Sequence, residues 1–147
     1  MNDSIVLLVE DNEDDIELTR RSFEKNNFSN KMVVARNGQE ALDYLFCKGA
    51  FAERNARETP VLILLDLKLP KVNGFEVLHQ IRSHPPTQCI PVVVLTTSSQ
   101  AKDKLESYRF GANSYIRKPV DFDLFGKVMQ QLGTYWLKIN EPPPTHL

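Results

Sequence analysis

Neither sign of charge dominates this 147-residue chain: 18 Lys and Arg stand against 19 Asp and Glu, for a formal net charge of -1. That balance speaks against a nucleic-acid binder, whose mark is a strongly basic face. Cysteine is scarce. Cys47 and Cys89 are the two present, without Cys-x-x-Cys spacing, and they read as buried, reduced thiols in a reducing compartment. The three histidines, His79, His84 and His146, are scattered, which disfavours a transition-metal site. No apolar run approaches the roughly 20 residues of a membrane span. The start, Met1-Asn2-Asp3-Ser4, is not basic, and the apolar stretch Ile5 to Val9 is too short for a signal core. The expectation is a cytoplasmic chain with no nucleic-acid or membrane partner, of a length that suits one domain.

What is present is 41% hydrophobic residues, gathered into short runs. Ile5-Val6-Leu7-Leu8-Val9, Val61-Leu62-Ile63-Leu64-Leu65 and Val92-Val93-Val94-Leu95 read as strands buried on both faces, the habit of parallel strands covered by helices. Met32 to Ala35 and Ser114 to Ile116 read as weaker strands. Amphipathic stretches fill the gaps. Glu13 to Asn26 opens on three acids, favoured at a helix start by the dipole. Gln39 to Phe46 and Phe75 to Ile81 follow Asn-Gly turns, and Pro85-Pro86 stops the latter. Ser98-Ser99 can cap a helix carrying Ala101, Leu105 and Tyr108, and Asp121 can cap a last helix with Phe125, Val128, Met129 and Leu132. Five β-α alternations argue for an α/β fold, an open parallel sheet with helices on both faces.

In such sheets ligands sit beyond the carboxyl ends of the strands. Glu10 and Asp11 follow the first strand, Asp66 the third, Thr96 and Thr97 the fourth, and Lys118-Pro119 the fifth. Acids set directly against apolar runs are costly unless something offsets their charge. A divalent cation together with Lys118 would do so, and Mg²⁺ suits carboxylates, a backbone carbonyl and waters. One carboxylate can then act as nucleophile on phosphorus, with Lys118 and the Thr96 hydroxyl as clamps on the transferring oxygens.

The segments Val9-Glu10-Asp11, Leu64-Leu65-Asp66-Leu67-Lys68-Leu69-Pro70 with Asn73-Gly74, Val94-Leu95-Thr96-Thr97 and Tyr115-Ile116-Arg117-Lys118-Pro119 occur in that order, each at a strand end. In this the chain resembles a response-regulator receiver domain, the family that includes CheY, from about Ser4 to about Leu132. The resemblance implies a flavodoxin-like (βα)5 sandwich with a five-stranded parallel sheet of order 2-1-3-4-5. It implies Asp66 as phosphoacceptor, and Mg²⁺ held by Glu10, Asp11, Asp66 and the backbone carbonyl of Lys68. Lys118 pairs with the acids and then with the phosphoryl group, while Thr96 and Tyr115 form the switch. It also implies a cis peptide before Pro119. Lys68 and Ser98 are the positions expected to tune phosphoryl lifetime.

The polar segment Lys48 to Thr59 and the ending Gly133-Thr134-Tyr135-Trp136-Leu137 are similar to the single-domain response regulators of bacterial and cyanobacterial phytochromes. That likeness implies a photoreceptor histidine kinase as donor, a downstream protein as reader, and a homodimer. Lys68 departs from that subgroup, which more often has Asn there. The expected domain is 1–140 with an extended last helix, followed by a mobile Pro-rich tail, 141–147. Phe125, Met129, Leu132 and Trp136 continue an apolar stripe, read as an interface; the alternative is a longer last helix packed on its own domain. Gly133 interrupts the stripe and could bend the helix.

The expected role is that of a phosphoacceptor rather than an enzyme. A phosphorelay intermediate or phosphate sink is the alternative. An aspartyl-nucleophile phosphatase is less favoured, because its second acid would stand at Lys68. A flavin carrier is disfavoured by the acidic loop after the first strand, and an unphosphorylated interaction domain by the intact acids and Lys118.

Overall fold

A strand of four or five consecutive apolar residues has no polar side to turn to water, so both of its faces must be covered. The computed structural model, which describes residues 4–144, meets that demand with one parallel sheet. Strands β1 (Ile5–Val9), β2 (Lys31–Ala35), β3 (Leu62–Leu65), β4 (Val92–Thr96) and β5 (Ser114–Arg117) lie in the order β2-β1-β3-β4-β5. All the pairings are parallel. Helices α1 (Glu13–Lys25), α2 (Gly38–Leu45), α3 (Gly74–Ser83), α4 (Ala101–Arg109) and α5 (Phe122–Thr134) follow the strands in turn. This is the flavodoxin-like (βα)5 arrangement.

Alternate residues of a strand face opposite sides of the sheet, and two apolar cores result. Leu7, Val9, Ile63, Leu65, Val92 and Val94 pack against α2 and α3 through Ala41, Leu45, Val77, Leu78 and Ile81. Val6, Leu8, Leu62, Leu64, Val93 and Leu95 pack against α1 and α5 through Ile16, Phe23, Phe125, Met129 and Leu132. Edge strands β2 and β5 are half-buried, which is why their apolar patterns are weaker. Side chains cap four helices: Asn12, Asn37, Asn73 and Asp121 each accept a backbone N–H from the first turn of α1, α2, α3 and α5.

The segment 48–59 is not loose. It holds a 3₁₀ turn, Gly49–Phe51, and its Arg54 donates to the carbonyls of Tyr44 at 2.8 Å, Leu45 at 3.3 Å and Glu58 at 2.7 Å. The Arg54 guanidinium also lies 4.3 Å from the centre of the Tyr44 ring. Beyond α5 the chain makes one π-helical turn, Tyr135–Ile139. Pro142, Pro143 and Pro144 then line a cleft with Pro60, Pro85 and Pro91, beside the starts of β3 and β4. Positions 145–147, with His146, lie outside the described residues. Among the described residues no helix is long and apolar enough to cross a membrane.

Several expectations need correction. Phe125, Met129 and Leu132 are buried in the chain's own core, so they cannot form an interface; Trp136 packs half-buried against the same core. Gly133 is buried against the Phe28 ring. A Cβ there would lie 2.1 Å from the Phe28 ring, so glycine permits a close approach. On α4, Leu105 and Tyr108 are exposed while Ser107 is buried, because that short helix turns its apolar residues outward. Its N-cap is Gln100, without a side-chain bond. Cys89 is exposed and Cys47 half-buried; both sit in connecting segments rather than in the sheet. No cis peptide is found among the described residues, the bond before Pro119 included, in keeping with the preference of about 0.5–1 kcal/mol for trans.

Candidate functional site

The register of the sheet brings the strand-end residues to one edge. The backbone N–H of Glu10 donates to Ala35 at 2.9 Å, that of Asp66 to Val9 at 3.0 Å, and that of Lys118 to Thr96 at 2.6 Å. These ladder bonds, made just past the apolar runs, set the three residues side by side. Glu10, Asp66, Thr96 and Lys118 are buried, whereas Asp11 is exposed. Gly74 contributes from α3: a Cβ there would stand 2.3 Å from the Asp66 carbonyl oxygen. Only glycine lets α3 begin against the strand end that carries Asp66.

Lys118 is the hub. Its Nζ donates to Glu10 Oε1, to Asp15 Oδ2 at 2.9 Å and to Asp66 Oδ2 at 3.2 Å, which accounts for all three ammonium protons. Glu10 Oε2 accepts from Asn12 N at 3.2 Å, and Asp66 Oδ1 from Leu67 N at 2.7 Å. Burial pushes the Glu10 carboxyl up to about 7; Lys118 pulls against the rise and Asp66 adds to it. Burial alone would lower Lys118, but Asp66 and Glu10, with bonds to Glu10 and Asp15, outweigh it and raise the ammonium above its ordinary range. One lysine therefore faces more negative charge than it can balance.

Carboxylate oxygens of Glu10, Asp11 and Asp66 lie within 4.8 Å of one another. Three hard oxygen donors at that spacing, with surplus negative charge, fit a small divalent cation. Lys68 is exposed and lines a shallow cleft with Asp11, Leu67, Leu69, Asn73, Phe75 and Asp103. A cleft of about 600 Å³ lies instead between α1 and α5, lined by Leu18, Arg21, Lys25, Phe122 and Lys127 among others. It contains none of these acids.

Thr96 and Tyr115 are joined through one loop. Thr96 Oγ1 accepts from Ser98 N at 3.3 Å, and the Tyr115 hydroxyl donates to the Ser98 carbonyl at 3.0 Å. The Ser98 hydroxyl donates to Asp103 Oδ2 at 2.6 Å and accepts from Gln100 N at 3.2 Å. Ser98 thus braces the start of α4 rather than reaching the acids. Sequence reasoning missed Asp15, taking it as one more acid in a first helical turn. The available signal was its position four residues after Asp11, on the turn of α1 nearest the sheet edge.

The chain matches the response regulator receiver domain over residues 6–130. It is 42% identical over 139 residues to the probable methanogenesis regulatory protein FilR2 of Methanothrix harundinacea, covering 95% of this chain and 87% of that protein. The structure of the phosphorylated cyanobacterial phytochrome response regulator RcpA superposes with a TM-score of 0.91 at 36% identity, covering 97% of this chain and 100% of that one. The Mn(2+)-bound form of response regulator Rcp1, a Synechocystis sp. protein, superposes with a TM-score of 0.89 at 34% identity, covering 96% and 99%.

Proposed function

Because the chain belongs to the response regulator receiver domain family, we propose that it takes a phosphoryl group from a histidine kinase onto Asp66 and so changes the surface it offers a downstream protein. The observation that carries this reading is the convergence of Glu10, Asp11 and Asp66 within 4.8 Å, with Lys118 donating to Asp66. Glu10, Asp11 and Asp66, with the backbone carbonyl of Lys68, would hold Mg²⁺. Bound there, the ion supplies positive charge against the oxygens of the transferring group.

The chain's own groups do the rest. The Leu67 N–H on Oδ1 and the Lys118 ammonium on Oδ2 fix the plane of the Asp66 carboxylate. Lys118 offers a charge-assisted bond to the incoming phosphoryl oxygen. The Thr96 hydroxyl, which accepts from Ser98, carries one proton to donate to the same group. Drawing Thr96 toward the phosphoryl oxygen moves the Ser98 loop, and Tyr115 and α4 with it, a local electrostatic event that biases a surface. The chain acts as an acceptor that assists its own phosphorylation rather than as a turnover enzyme. Lys68 supplies no acid two residues past Asp66, which weighs against a phosphatase.

A phytochrome-type kinase is the proposed donor, supported by the likeness to RcpA along nearly the whole chain. The likeness to FilR2 keeps the stimulus a separate question from the chemistry. The test is phosphotransfer from a panel of autophosphorylated histidine kinases, a phytochrome kinase included. The reading expects fastest transfer from the phytochrome kinase and none to Asp66→Asn. Transfer to Asp66→Asn at the wild-type rate would remove Asp66 as acceptor, and a faster non-photoreceptor kinase would remove the phytochrome assignment.

A further inference from the structure

Of the three carboxylates bonded to Lys118, one stands outside the group of oxygens that fits a cation. Asp15 Oδ2 accepts from Nζ at 2.9 Å, yet Asp15 is not among Glu10, Asp11 and Asp66, whose oxygens cluster. Asp15 is itself held from two sides. Its N–H donates to Asn12 Oδ1 at 3.0 Å, and its carbonyl accepts from the hydroxyl of buried Thr19 at 2.7 Å. The carboxylate therefore reaches the lysine from a fixed turn of α1.

We propose that Asp15 is a positioning residue for phosphoryl transfer: with Glu10 it holds the Lys118 ammonium so that the third proton points at Asp66, and afterwards at the phosphoryl oxygen. The proposal rests on Asp66 being the phosphoacceptor. Lysine carries its charge on a flexible four-carbon stem, and its three protons rotate freely. A single acceptor leaves that rotation open, while two fixed acceptors set the direction of the remaining proton. The bond to Asp66, at 3.2 Å, is longer than the 2.9 Å bond to Asp15. It is the contact Lys118 can exchange while Asp15 keeps its hold.

With acetyl phosphate as donor the step balances as follows. A lone pair on an Asp66 carboxylate oxygen forms a bond to phosphorus. The bond from phosphorus to the acetate oxygen breaks, and acetate leaves with that electron pair. No proton is transferred. Lys118 trades an Asp66 oxygen for a phosphoryl oxygen.

The competing account is that Asp15 merely favours the start of α1 through the helix dipole. Asp14, exposed on the same turn, is the control. Phosphorylation is followed by intact mass against acetyl phosphate concentration at saturating Mg²⁺. Asp15→Ala should lower the limiting rate by at least about tenfold, toward the roughly hundredfold that a misplacement of about 1 Å can cost. The half-saturating concentrations of acetyl phosphate and of Mg²⁺ should stay within about twofold. Asp14→Ala should match wild type. In metal-free protein the ¹⁵N-¹H ammonium resonance of Lys118 should be visible in wild type and lost in Asp15→Ala, a readout that needs no turnover. An unchanged limiting rate, an equal loss in Asp14→Ala, or a change in Mg²⁺ half-saturation as large as the rate loss overturns the proposal. If Asp15→Ala does not fold by circular dichroism, Asp15→Asn carries the same comparison. A wild type that gains no phosphoryl group, or an Asp66→Asn that gains one, would instead sink the acceptor assignment; the ammonium resonance would still decide whether Asp15 orders Lys118.

Discussion

Burial pushes the Glu10 carboxyl up to about 7 from its ordinary 4.5, with Lys118 opposing the rise and Asp66 reinforcing it. A carboxyl raised in the fold contributes stability that is fully present below 4.5 and lost as pH rises through about 7. The metal-free protein should lose that contribution across this window, and a cation at the three carboxylates should restore it by favouring the ionised form. The gain in Tm on adding saturating Mg²⁺ should therefore grow between about pH 5.5 and pH 8. Thermal melts with and without Mg²⁺ at each pH check this; an equal gain at both ends contradicts it. Glu10, Asp11, Asp66, Thr96 and Lys118 could be found in the sequence because each stands at the end of a strand, where a charge or hydroxyl needs a reason. Asp15 was harder to single out, since an acid in a first helical turn already has a local explanation. The lysine it binds lies 103 residues away in sequence.

Helix α5 shows where pattern reading stops. An apolar stripe has the same period whether it meets the chain's own sheet or a second molecule, so Phe125, Met129 and Leu132 could not be assigned from spacing. On α4 the apolar residues Leu105 and Tyr108 are exposed, a placement that spacing alone does not give either. The uniform runs of β1, β3 and β4 had no such alternative, and they fixed the architecture. Two glycines of α5 separate packing from propensity. A Cβ at Gly133 meets the Phe28 ring at 2.1 Å, whereas one at Gly126 meets nothing within 4 Å. Gly133→Ala should destabilise by about 1–3 kcal/mol through overpacking. Gly126→Ala should stabilise by about 0.5–1 kcal/mol. Urea unfolding of the two variants measures both, and effects of the same sign would contradict the packing seen here. The 48–59 segment offers a second case. With Arg54 bonded to the carbonyls of Tyr44, Leu45 and Glu58, Arg54→Ala should remove hydrogen-exchange protection there while β1 and β3 keep theirs. Uniform loss of protection would mean Arg54 supports the whole fold.

The chain divides its chemistry between the two ends of one sheet. Every group expected to meet a phosphoryl oxygen stands at the carboxyl ends of the strands, and the proline-lined cleft lies by the amino ends of β3 and β4. Between the acids and the outer surface runs one short path, Thr96 to Ser98 to Tyr115 and Asp103. We also propose the homodimer that the likeness to the phytochrome response regulators led us to expect. With the α5 residues in the core, the apolar contact would fall to exposed Tyr135 and Ile139 beside half-buried Trp136. Ile139→Ser and Trp136→Ala should shift sedimentation toward monomer, and an unchanged profile in folded variants would remove that face. The most direct test of the acid cluster itself is chemical trapping. After incubation with Mg²⁺ and acetyl phosphate, borohydride reduction converts an aspartyl phosphate to homoserine, and tandem mass spectrometry reads its position. The account predicts homoserine at residue 66 alone, lost when the metal is chelated; homoserine at another acid, or equal conversion without metal, would contradict it.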